Sequence, residues 1–164
     1  MVTTSFLNPL MESMEENLQQ HVGFVQRSVP GMTVLDDNGL LQVDSGLSSD
    51  TFNKITRARL RGTDADRRIA EAVAYFKRVR RPFACWVGPG SRPLDIEKRL
   101  LEHGLENTEA AIGMAMELFN FPAKPDGARQ LTVRRAASPQ QITDFANVFA
   151  SNWEPPDPAV LTLL

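Results

Sequence analysis

Apolar residues recur every three or four positions at Leu7, Leu10, Met11, Met14, Leu18, Val22 and Val25, which predicts a helix with one stripe turned toward a core or a partner. Asn8-Pro9 supplies an N-cap and a proline at the first helical position. Glu12, Glu15 and Glu16 put negative charge in the early turns, where the helix dipole favours it, and Pro30-Gly31 ends the element. The period then changes. Met32 to Asp36 and Leu40 to Asp44 flank Asp37-Asn38-Gly39, and Asn-Gly between two apolar runs predicts a hairpin. A third strand is expected over Thr51 to Leu60, on an imperfect alternation. Helical spacing returns at Ile69, Ala72, Val73, Phe76 and Val79, with Thr63 or Asp64 as cap and an end near Arg80.

The next stretch alternates strand and helix. Phe83, Ala84, Cys85, Trp86 and Val87 form a short apolar run closed by Gly88-Pro89-Gly90, which suits a strand covered on both faces. Pro93 to His103 predicts a helix that starts on its proline and stops at a left-handed Gly104. Glu109 to Leu118, uncharged between Glu109 and Glu117, reads as another interior strand. Phe121 to Arg129 holds Pro122, Pro125 and Gly127 and reads as a loop, and Leu131 to Arg135 as a short strand. Ser138-Pro139-Gln140-Gln141 is a capping box opening a helix with Ile142, Phe145, Ala146 and Phe149 on one face. Trp153 to Pro158 breaks that helix, and Asp157-Pro158 starts another carrying Val160, Leu161, Leu163 and Leu164. The pattern predicts a mixed α/β fold with a sheet of about six strands and helices on both faces. Residues 1–30 read as an N-terminal helix, 31–152 as the α/β domain, and 153–164 as a linker with the start of a truncated following segment.

Composition narrows the class. With 164 residues, 42% hydrophobic and 23% charged, the chain is globular rather than disordered. A formal net charge of -2 argues against nucleic-acid binding through global charge. A single cysteine, Cys85, fits a packed thiol in a reducing compartment. No apolar run approaches the ~20 residues of a membrane span, and Met1-Val2-Thr3-Thr4 lacks the order of a signal peptide, so the expected location is cytoplasmic.

Candidate chemistry is sparse. Gly88-Pro89-Gly90 between strand and helix resembles a phosphate-cradling loop, but Pro89 removes an N–H, and a tight turn is the expected reading. Lys77, Arg78, Arg80 and Arg81 gather at the carbonyl end of a helix, where they complement its dipole and not an anion site. His21 and His103 lack partners at metal-ligand spacing, Cys85 lacks a cationic neighbour in its own strand, and no metal ligand or catalytic residue is named. Three residues stand out as polar or amphipathic groups in or beside apolar strands: Asn53, Trp86 and Glu117. They are the candidate substrate-binding residues. Glu117 would serve as a general base if it lined a cleft, and Trp86 is expected to be largely buried.

Several stretches, taken in order, carry a resemblance. They are Phe52-Asn53-Lys54-Ile55, Asp66-Arg67-Arg68-Ile69, Tyr75-Phe76, Pro82 to Pro89, the Pro93 to Leu105 helix ending His103-Gly104-Leu105, and Gly113 to Leu118. From about residue 30 onward the chain resembles the N-terminal half of a GNAT (GCN5-related N-acetyltransferase) family protein of the longer, two-half type. In that type a divergent acetyltransferase-like half precedes the half that binds acetyl-CoA. The resemblance implies a mixed sheet with helices on both faces and, in a complete relative, acetyl transfer from acetyl-CoA to a small-molecule or peptide amine. It also implies an Arg/Gln-x-x-Gly-x-Gly/Ala loop at a helix N-terminus, which holds the cofactor pyrophosphate by backbone N–H groups. That loop is not found here. The nearest glycine pair, Gly88 and Gly90, lacks the preceding Arg or Gln and is stiffened by Pro89. No cofactor is therefore expected for this chain alone. The expected partners are an amine substrate and either a second copy, through the helix from Ser138 to Asn152 and the Val160 to Leu164 segment, or an acetyl-CoA-binding half. The alternative is a non-catalytic binding, regulatory or interaction module that kept the fold.

Overall fold

A computed structural model describes residues 9–37, 39–115 and 132–163. These fall into two compact units divided between Gly113 and Met114. The first holds α1 (Pro9–Phe24), β1 (Thr33–Asp36), β2 (Leu41–Asp44), β3 (Lys54–Thr56), α2 (Ala65–Val79), β4 (Ala84–Cys85) and α3 (Ile96–Glu102). The second holds α4 (Pro139–Ala150) and α5 (Pro158–Leu163), which pack on each other. The fold is mixed α/β. No helix among the described residues is long and apolar enough to cross a membrane.

The sheet runs β1-β2-β3-β4, antiparallel through the first two pairings and parallel between β3 and β4. The expected hairpin is present, with Asp36 opposite Leu41. Asp37 Oδ1 accepts the Gly39 and Leu40 amides and closes the turn. Pairing of Gln42 with Ile55 and of Ile55 with Cys85 puts these three on one face, since side chains alternate along a strand. That face carries the core. Leu40, Ile55, Ala58, Leu60, Ile69, Val73, Phe76, Ile96 and Leu100 are buried together, and Phe83 stacks on Phe76 with centroids 4.6 Å apart. Val34, Leu41 and Val43 lie on the opposite face, toward α1, where Gly23 lies next to Val34.

The α2 helix matches its apolar pattern, and Ile69, Ala72, Val73 and Phe76 are all buried. Its last turn leaves the helix at Arg80, which is left-handed at φ 55°. The α4 capping box is also present, with Ser138 accepting the Gln141 amide and Gln141 accepting the Ser138 amide. Two helix boundaries are corrected. α1 stops at Phe24, six residues before Pro30, because Gly23 and the β-branched Val25 and Val29 favour turns over another helical turn. α3 starts at Ile96 and not at Pro93, because Arg92 still pairs with the chain before α2, its N–H donating to Ala58 and its carbonyl accepting from Leu60.

The sheet has four strands among the described residues, not six. Residues 109–115 form no strand, and Ile112 is 88% exposed. The run is built mainly from Ala, Gly and Met, which pack poorly on a pleated surface. Residues 132–135 form none either, and Val133 is 94% exposed. Asn8, the rest of the Glu109 to Leu118 run, the Phe121 to Arg129 loop, Leu131 and Leu164 lie outside the described residues.

Candidate functional site

Asn53 is 0% exposed, and every hydrogen-bonding position on its amide is taken within the chain. Oδ1 accepts from the Ser45 amide (2.9 Å) and hydroxyl (2.8 Å), while Nδ2 donates to the carbonyls of Leu47 (2.8 Å) and Pro82 (2.9 Å). It ties the turn after β2 to the entry of β4. A ligand would find nothing left to bind.

Trp86 is 40% exposed, which corrects the expectation of burial. Its position follows from the pairing: Cys85 faces the core, so Trp86 turns to the other side. There Lys54 Nζ lies 4.7 Å from the ring centroid. Burial of its stem lowers the Lys54 pKa from the ordinary lysine value, partly opposed by the charges of Asp50 and Glu109. Cys85, on the core side, has its thiol pushed up to about 12 by burial, which keeps it protonated. The core gap that Cys85 helps line is only about 10 Å³. Glu117 lies outside the described residues, so of the three candidates only Asn53 and Trp86 are placed, and they do not converge.

Three arrangements escaped the sequence pattern. Asp44, nearly fully buried at the end of β2, accepts from the Tyr75 hydroxyl at 2.7 Å and pairs with Arg81. This holds the end of α2 to the sheet, and burial together with the Asp44 bond raises the Tyr75 pKa. One member of the basic cluster after α2 thus has a structural partner. Second, the Glu15 carboxylate of α1 accepts the Gly90 amide at 2.7 Å, and a Cβ at Gly88 would overlap it. The Gly88-Pro89-Gly90 turn is occupied by the chain's own carboxylate.

Third, a polar groove of about 500 Å³ runs between α1 and the sheet. Glu12, Glu16, Gln19 and Gln20 form its helical wall, and Arg57, Arg59 and Asp36 line the sheet side with Arg27 and Leu41. Arg57 is left-handed at φ 55°, which ends β3 and turns the guanidinium onto Asp36. Arg27 also reaches Asp36, at 3.4 Å. The alternation of Arg57, Arg59 and Arg61 at the end of β3 was the available signal.

The same segment leads into α2 as Arg59-Leu60-Arg61-Gly62-Thr63-Asp64. It keeps the first four positions of an Arg/Gln-x-x-Gly-x-Gly/Ala loop and departs at the last, where Asp64 flanks the helix start. Asp66 follows in the first turn, paired with Arg99 and 3.6 Å from His103. Among the described residues no group of three His, Cys, Asp or Glu side chains gathers as a metal site would need. No protein-family model, no curated protein and no solved structure matches the chain.

Proposed function

We propose that the chain is the N-terminal, cofactor-free half of a GNAT-type acetyltransferase, supplying the amine-substrate side in a complete protein that transfers acetyl from acetyl-CoA. The observation that carries this reading is the junction of β3 and α2. A strand, an Arg-x-x-Gly segment and a helix N-terminus follow one another there, but Asp64 stands where the cofactor-binding loop of a complete relative would have glycine or alanine. The mixed sheet with helices on both faces agrees with it. A carboxylate at a helix start repels the phosphate that the helix dipole would otherwise attract, and Asp66 adds a second negative charge. The half that binds acetyl-CoA, or a second copy of this chain, is the expected partner, and Trp86 with its exposed ring is the remaining described candidate for contact with the amine substrate.

Calorimetry with acetyl-CoA is expected to register no binding to the chain alone, and micromolar affinity would overturn the assignment of this half as cofactor-free. The coding sequence past Leu164 tests the other part. Continuation into an Arg/Gln-x-x-Gly-x-Gly/Ala loop supports the two-half reading, and an unrelated domain overturns it. A second reading, a non-catalytic binding module that keeps the fold, is favoured by the polar groove beside α1, which is of ligand size without help from another chain.

A further inference from the structure

We propose that the groove between α1 and the sheet binds a small zwitterion, with its ammonium toward Glu12 on the helix and its carboxylate toward Arg59 on the sheet side. The inference goes beyond acetyl transfer and rests on the charges of the groove alone. Glu12 and Glu16 face Arg57 and Arg59 across it, with Asp36 and Arg27 beside the latter pair, so the groove holds three carboxylates and three guanidiniums. They are not equally engaged. Arg27 and Arg57 both pair with Asp36, and Glu16 accepts from Gln20 at 3.4 Å. Glu12 and Arg59 make no side-chain hydrogen bond or ion pair among the described residues. They are thus the carboxylate and the guanidinium without a side-chain partner, on opposite sides of a concavity of about 500 Å³, within the ordinary range for small-molecule sites.

The charge balance selects the ligand class. A nucleotide or polyphosphate needs surplus positive charge, and here the three guanidiniums are matched one for one by Asp36, Glu12 and Glu16, so no surplus is left for it. A simple cation would meet Arg59, and a simple anion would meet Glu12. A molecule carrying both charges answers both groups, and the Gln19 and Gln20 amides beside them can orient a peptide-like backbone. The site is prearranged on one side: the left-handed Arg57 and its bond to Asp36 fix that wall before a ligand arrives.

The test is a titration of the full ¹⁵N-labelled chain with glycylglycine, N-acetylglycylglycine and glycylglycinamide, followed through the Arg59 Nε–H and the Gln19 and Gln20 side-chain amides. Glycylglycine is expected to shift these signals and to bind about tenfold more tightly than either capped peptide, since each cap removes one charged contact. Glu12→Gln should lower glycylglycine to the level of the acetylated peptide, and Arg59→Gln to that of the amide. Equal affinities for all three peptides in the wild-type chain overturn the proposal without recourse to a variant. So does the absence of any shift at about 100 mM peptide, a concentration at which even a site of millimolar affinity is nearly filled. A third outcome also defeats it: if Glu12→Gln moves the Arg59 Nε signal with no peptide present, the two charges pair with each other and the groove is closed to a ligand.

Discussion

At the scale of single residues, polar groups that look like site residues in the sequence can be wholly occupied by the fold. Asn53 is the clearest case, because its four bonds hold Ser45, Leu47 and Pro82 together in a place no solvent reaches. Asn53→Ala would leave buried backbone donors and acceptors unpaired, at about 1–3 kcal/mol each, so a loss of roughly 3 kcal/mol or more is expected. Urea unfolding checks it: the midpoint should fall with the slope unchanged, and an unaltered midpoint would mean the network contributes nothing. Cys85 gives a second residue-level prediction. Its folded pKa of about 12 lies above the ordinary thiol value, so the folded state keeps the proton longer than the unfolded state does. The stability this contributes is complete below about pH 9 and is lost as pH rises toward 12. A thiol reagent at pH 8 should leave the native chain unlabelled and react on unfolding, whereas rapid native labelling would place the thiol outside the core. Sequence identified Cys85 as a packed thiol but misplaced its neighbour Trp86, because β4 is only two residues long and the apolar run continues past the sheet.

At the scale of elements, local signals were legible where one segment satisfies itself. The capping box of α4, the stop at Gly104 with φ 82° and the apolar face of α2 depend on residues within a few positions of one another. Signals that need a distant partner were not. Glu15 and Gly90 are 75 residues apart, and nothing in either segment announces the bond between them. That bond matters because α1 is otherwise thinly attached. Gly23 is its only buried residue, while Leu10 and Met11 at the head of the stripe are exposed. Gly88→Ala is expected to push the Glu15 carboxylate off the Gly90 amide and to raise hydrogen exchange along α1, leaving the α2 amides protected. Glu15→Ala should do the same, and the double variant should exchange no faster than either single one, since both remove one interaction. Additive effects would show that Gly88 and Glu15 act separately. The missing strands at 109–115 and 132–135 teach the same lesson, for an apolar run becomes a strand only when a neighbouring edge pairs with it.

At the scale of the whole molecule, burial among the described residues of the second unit falls on Ala146 and Ala150 of α4 and Ala159 and Val160 of α5, while its aromatic residues stay partly or largely exposed. Phe145, at 55% exposure, and Phe149 stack with centroids 6.0 Å apart, and Trp153 meets Phe149 edge-on at 5.5 Å. The helical period showed that this face was apolar, but not that Ala146 and Ala150 would be its buried edge, because a period marks a stripe and not the depth of each position. Stacked aromatics standing in water are the kind of surface that a second chain covers, and a stable contact typically buries about 800 Å² per partner. Self-association through α4 and α5 is therefore expected, with a two-fold dimer the simplest closed form. Val160, fully buried, takes no part in it, whereas Leu161, 47% exposed, can. Light scattering over a concentration series should show the mass rising from monomer to dimer. Leu161→Asp and Phe145→Asp should each return it to monomer, because a charge in a desolvated contact is costly, while circular dichroism confirms that the helices persist. A chain that stays monomeric at the highest concentration rejects the contact.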